Sequence, residues 1–272
     1  MARPWASAGT IARMCELLIA RADAPFALST LWPLAARMER DGLAGYGWGA
    51  AWVADGQLEA HHSVAAFRQD PAPERLGTVR TTAALIHLRR PSRLSTHALP
   101  DTQPFLDPDR RFALGHNGDF REYRAARAGY VAQGRIHGRA DSEVGARWLE
   151  DRWPASASGG TVAGGTGVGG TVAGGTGVHS LLAALHRELG GQANLGHLQP
   201  DGSGAMYAGN TENPVFSFTL DGVALAATGL YSLDRSFFRL VAPRATDRHL
   251  VRMGRSAILR GTMTPAASAL RA

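Results

Sequence analysis

Apolar residues in this chain gather in short runs separated by glycine, proline and polar clusters. "GYGWGAAWV" (45–53), "AALIHL" (83–88) and "FALGHN" (112–117) are bounded by breakers and read as strands. "NPVFSFTLDGVALAAT" (213–228) places two apolar runs on either side of Asp221-Gly222, a pair suited to a type I′ hairpin turn. Helical spacing predicts "FREYRAARAGYVAQG" (120–134), "ADSEVGARWLEDRW" (140–153) and "HSLLAALHREL" (179–189) as helices. Asp141 or Ser142 is the expected N-cap of the second, with acidic residues in its first turn. Strands and helices come in blocks rather than in strict alternation. That order favours packed antiparallel sheets with helices outside over a parallel doubly wound sheet.

One segment departs from this pattern. "GGTVAGGTGV" at 159–168 recurs letter for letter at 169–178. Such small side chains bury too little area to offset ordering entropy, so an insertion at about 155–178 reads as flexible. A phosphate loop is the sharper reading, but no GxxxxGK[ST] is present and no acidic partner follows at the dinucleotide spacing.

Composition narrows the function classes. All 29 basic residues are arginine, set against 23 acidic residues for a net charge of +6. The arginines are scattered along the sequence without an aromatic–basic stripe, so nucleic-acid binding is not expected. One cysteine excludes an intrachain disulfide and a multi-cysteine zinc site. No apolar run reaches the ~18 residues of a membrane span. Residues 1–13, "MARPWASAGTIAR", lack the apolar centre of a signal peptide. The expectation is a soluble, cytoplasmic protein that does not contact membranes.

Four features offer chemistry, each with a plainer reading beside it. Cys15, the lone thiol, follows Met14 in "RMCELL"; it is either a small core hydrophobe or a nucleophile. "GHNGDF" (115–120) is either a turn or an oxyanion-binding pair, with the Asn117 amide beside the Gly118 N–H. Arg89 in "HLRRPS" is either a solvated surface group or a bidentate clamp for a carboxylate. Asp141 caps its helix or binds a substrate ammonium.

Taken in order, "MCELL…YGWGAAW…HLRRPS…DTQPF…GHNGDF…ADSEV" resembles the class II glutamine amidotransferases, which are N-terminal-nucleophile hydrolases. The resemblance is strongest to the stand-alone, YafJ-type members and covers roughly residues 14–150. It implies an α+β fold, a four-layer αββα sandwich of two antiparallel sheets with helices outside, over 15–272. It implies Cys15 as nucleophile, Asn117 and Gly118 as oxyanion hole, Arg89 binding the glutamine α-carboxylate, Asp141 holding the α-amino group, and Ser92 where the family usually has threonine. Tyr46, Gln103 and Arg93 depart from the family motifs and bear on the pocket wall, hence on which amide is cleaved. No metal or organic cofactor is implied.

The implied reaction is attack of the Cys15 thiolate on the side-chain amide of glutamine or a related γ-glutamyl amide, with the cysteine's own α-amine as base. That demands a free amine, whereas Cys15 here is bonded to Met14. Residues 1–14 are therefore expected to be an extra N-terminal segment, from a mis-assigned start or a propeptide. Two enzymatic settings follow from the resemblance: a subunit that delivers ammonia to a synthase partner, or a self-contained amidohydrolase such as the γ-glutamyl amide hydrolase of ergothioneine-type biosynthesis. A non-catalytic binding protein that keeps the fold is the competing reading.

Overall fold

The computed structural model describes residues 15–42, 44–154, 176–229 and 237–259. Two antiparallel sheets face each other. The first is built from β1 (Glu16–Ala27), β2 (Trp48–Ala54), β3 (Gln57–Ser63), β4 (Arg80–Leu88), β9 (Val215–Leu220), β10 (Val223–Thr228) and β11 (Thr246–Leu250), in the order β11-β9-β10-β1-β4-β2-β3. The second holds β5 (Phe105–Leu106), β6 (Ala113–Asp119), β7 (Gln192–Leu198), β8 (Gly204–Tyr207) and β12 (Ser256–Leu259), in the order β12-β8-β7-β6-β5. Helix α1 (Trp32–Gly42) packs Leu34, Ala35 and Met38 on the outer face of the first sheet. The short α2 (Ala72–Leu76) joins that layer through Ala72. Helices α4 (Asp141–Arg152) and α5 (Thr176–Leu189) cover the outer face of the second sheet through Trp148, Leu149, Leu182 and Leu185. Helix α3 (Tyr123–Ala132) packs beside α4. Leu17, Ile19, Leu85, Leu198 and Met206 fill the space between the sheets. The result is the four-layer αββα sandwich.

The local expectations translate into elements with shifted ends. The 45–53 run becomes a strand only from Trp48, because Gly47 turns the chain at φ +110°. The 83–88 and 112–117 runs are β4 and β6. The hairpin forms as read: Asp221 and Gly222 sit at φ +51° and +79°, both positive as a type I′ turn requires. The 120–134 helix starts at Tyr123, because Phe120 is buried against His116 and Gly145 instead of joining the helix. Helix α5 begins at Thr176 and so takes in the last three residues of the second repeat, with Val178 buried in the core. The rest of the repeat, and residues 1–14, lie outside the described residues.

Asp141 and Ser142 do not occupy the N-cap expected of them. Ala140 holds that position, and no side chain caps it. Asp101 accepts the Arg139 and Ala140 N–H groups through Oδ1, the latter at 2.6 Å, which releases Asp141 and Ser142 for other partners.

A pair of glycines brings the sheets together at the working end. Gly115 in β6 and Gly196 in β7 are register partners, and each faces a leucine of the opposite sheet. A Cβ at Gly115 would come within 2.7 Å of Leu17 Cδ2, and one at Gly196 within 2.7 Å of Leu85 Cδ1. Their absence of side chain lets β1 lie close over β6. Cys15, just ahead of β1, thereby reaches Asn117 near the end of β6.

Candidate active site

Cys15, Arg89, Ser92, Gly118 and Asp141 line one cavity of about 480 Å3, although they come from four separate stretches of chain. Asn117 is fully buried directly behind it. The half-buried Cys15 Sγ accepts a hydrogen bond from the Arg90 N–H at 3.3 Å. Burial pushes the Cys15 thiol up to about 11, only partly opposed by that N–H and by the Arg89 guanidinium. In this covalent form the sulfur is a thiol at neutral pH.

Below Cys15 lies a floor of asparagines. The Asn117 side-chain amide donates to the Cys15 carbonyl, and Asn213 Nδ2 lies 3.4 Å from the same oxygen. Asn194, the register partner of Asn117 on β7, donates to Asn117 Oδ1 at 3.1 Å and to the Asn213 carbonyl at 2.6 Å. Its own Oδ1 accepts the Gly209 and Asn210 N–H groups at 3.1 and 3.2 Å. Asn210 Nδ2 stands 3.4 Å from Asn117 Oδ1. These amides hold Asn117 in one orientation, with its donor end toward Cys15. Sequence reading missed Asn194, Asn210 and Asn213, because an isolated asparagine in a strand or loop carries no local sign of the partner it meets across the sheet.

Gly118 follows Asn117 at φ +150°, and a Cβ there would collide with the Gln192 carbonyl. Only glycine fits a backbone this close to its neighbour strand.

The two expected substrate clamps keep polar capacity free. Arg89 is buried, and its Nη2 donates to the Thr96 carbonyl and, at 3.0 Å, to Thr96 Oγ1. Its buried Nε has no hydrogen-bond partner among the described residues. The loop that carries it is pinned by backbone bonds to the turn before β2, Arg89 N–H to Gly47 O at 2.8 Å and Tyr46 N–H to Arg89 O at 3.1 Å. Asp141 Oδ2 accepts the Phe120 N–H at 2.6 Å. Ser142 Oγ instead meets His116 Nδ1 at 2.9 Å and Gln103 Nε2 at 3.1 Å. Burial pulls His116 below the usual histidine range.

The departures from the family motifs have distinct places. Gln103 borders the cavity and clamps His116 from both sides, accepting its N–H at 2.6 Å and donating to its carbonyl at 3.2 Å. Arg93 also lines the cavity. Tyr46 does not; it borders a neighbouring cavity of about 510 Å3, with its ring edge-on to His97. Among the described residues no helix is long and apolar enough to cross a membrane, and no group of three or more histidine, cysteine or acidic side chains is placed to hold a metal ion.

The family model "Glutamine amidotransferases class-II" matches residues 14–207. No curated protein matches the sequence. Among solved structures, the chain is similar to glutamine phosphoribosylpyrophosphate (PRPP) amidotransferase from B. subtilis, complexed with ADP and GMP, at TM-score 0.64 and 17% identity. That match covers 90% of this chain but 47% of the other, so the chain spans about half of that relative's length. It is also similar to a glutamine aminotransferase class-II domain protein from silicibacter pomeroyi at TM-score 0.52 and 15% identity, over 90% of this chain and 94% of that one.

Proposed function

The chain belongs to the class II glutamine amidotransferases, and from this premise we propose that it cleaves the side-chain amide of glutamine or of a γ-glutamyl amide through a thioester on Cys15. The observation that supports this most directly is the convergence of Cys15, Arg89, Gly118 and Asp141 on one cavity, with the Asn117 amide held beneath the cysteine. Arg89 takes the α-carboxylate of the substrate and Asp141 its α-ammonium, which presents the far amide to Sγ. Ser92, on the same wall, lends a hydroxyl to the bound substrate. Asn117 and the Gly118 N–H stabilise the oxyanion of the tetrahedral intermediate. Collapse expels ammonia or an amine, and water then hydrolyses the thioester to release a γ-carboxylate.

The protonated thiol needs a base, and the amide nitrogen that Cys15 shares with Met14 is not basic. A freed α-amine, with an ordinary pKa near ~8, supplies one at neutral pH. The working form therefore begins at Cys15, with residues 1–14 removed or never made. Ammonia released in the cytoplasm goes to solvent or to a synthase partner, and the site needs no metal or organic cofactor.

Expression of the chain from Met14, with methionine removal verified by intact mass, tests this. That form is expected to release ammonia from glutamine and to gain one adduct on Cys15 from a diazo-ketone glutamine analogue. The Cys15→Ala variant is expected to do neither. An unlabelled, inactive Cys15 with a free N-terminus would sink the enzymatic reading.

A further inference from the structure

Six arginines line the cavity around Cys15: Arg89, Arg90, Arg93, Arg121, Arg124 and Arg139. The acidic residues of its wall are Asp119 and Asp141, so the wall has an excess of four positive charges in a chain whose net charge is +6. Four of them differ from the paired arginines of the rest of the molecule. Elsewhere among the described residues eight arginines reach a carboxylate within 4 Å, among them Arg111 with Asp107 at 2.7 Å, Arg135 with Asp151 at 2.7 Å and Arg244 with Asp221 at 2.7 Å. Arg93, Arg121, Arg124 and Arg139 have no such ion pair among the described residues. A cleft lined by one sign of charge concentrates ligands of the other sign, and guanidinium groups match carboxylates in planar, bidentate geometry.

Free glutamine leaves this charge unanswered. It is a zwitterion whose carboxylate is met by Arg89 and whose ammonium is met by Asp141. The cavity, at about 480 Å3, is also in the range that holds ligands well beyond amino-acid size. With both α-groups of the glutamyl half engaged, the amide nitrogen is the one position left for a substituent.

We propose that the preferred substrate is a γ-glutamyl amide whose amine half is itself acidic, held by Arg93, Arg121, Arg124 and Arg139. The proposal rests on the reading of Cys15 as the nucleophile. Sγ forms a bond to the γ-carbonyl carbon, the C–N bond breaks, and the acidic amine departs with the proton taken from the thiol. Water then cleaves the thioester, yielding glutamate and the regenerated thiol.

Three substrates of graded charge test this with the form that begins at Cys15: γ-glutamyl-aspartate, γ-glutamyl-alanine and γ-glutamyl-alaninamide. The expected order of kcat/KM is aspartate over alanine over alaninamide, with at least ~10-fold between the extremes at low salt. The ratio should shrink as salt rises and fall toward one in an Arg121→Ala, Arg124→Ala double variant. Equal values for all three, or a ratio unmoved by salt and by the double variant, would overturn the proposal while leaving the amidase reading intact. Absence of turnover on all three and on glutamine speaks against the amidase reading instead. In that case calorimetry on Cys15→Ala still decides the specificity: tighter binding of γ-glutamyl-aspartate than of γ-glutamyl-alaninamide supports it, and equal binding refutes it.

Discussion

Beneath Cys15 four asparagines are 0–4% exposed and hydrogen-bonded to one another and to the Cys15 carbonyl, whereas around the cavity mouth four exposed arginines stand without carboxylate partners among the described residues. The floor is neutral, so it incurs no ionic desolvation and needs no counter-charge from a ligand. Asn194 and Asn210 orient the Asn117 amide, which fixes the geometry in advance of substrate. The mouth is charged and hydrated, so it exerts force at a distance but imposes little geometry. Position is assigned to one region and selection to the other. This division predicts that floor variants change turnover and mouth variants change affinity.

The largest effect is expected at Asn117. Asn117→Ala removes the donor under Cys15, and kcat for glutamine should fall by ~10²–10³-fold with a smaller change in KM. Steady-state kinetics check this; a loss confined to KM would break the distinction between floor and mouth.

Glu16 tests the neutrality of the floor. It is buried beside Cys15, its Oε2 accepts Thr228 Oγ1 at 2.5 Å, and burial raises it from 4.5 to about 8 against the pull of Thr228 and Asn213. The folded state thus keeps a proton that the unfolded chain gives up above about 4.5. Stability from this group is full below that pH and declines as pH rises toward 8, after which it stays low. Glu16→Gln should remove the decline and leave the variant more stable than the parent at pH 9 by on the order of 2 kcal/mol. Denaturant melts at pH 5, 7 and 9 measure it, and parallel curves for the two proteins would contradict it.

A smaller shift is expected where the mouth meets the substrate. Arg89→Lys keeps the charge but loses the planar fork, and KM for glutamine should rise about 10-fold with kcat less affected. A fall in kcat with unchanged KM would move Arg89 from recognition into chemistry.

Local chemistry made part of this legible. Asp221-Gly222 fixes its own turn because positive φ at both residues is a property of the dipeptide and its flanking runs. Strand β1 was harder: residues 16–20 are buried on both faces, so no alternation distinguishes a central strand from a buried helix. Strand β11 is exposed along its whole length, and "TDRHL" has no apolar face to mark it. The N-cap expected at Asp141 or Ser142 failed because Asp101, some forty residues upstream in the chain, takes the N–H groups at the helix start.

The sequence by itself determined the order of motifs from Cys15 to Asp141, and with it the family. Such motifs work through neighbours a few residues apart, whose side chains and turn propensities are written locally. Only the tertiary structure decided what surrounds them. Antiparallel pairing of β6 with β7 sets Asn194 opposite Asn117 across 77 positions of sequence. The close approach of the sheets at Gly115 and Gly196 brings Cys15 over that pair. Arginines that look scattered along the chain converge on one mouth, because the loop after β4, the segment after β6 and the turn before α4 open at the same end of the sandwich. Charge placement of this kind depends on distances through space, which a one-dimensional spacing does not encode.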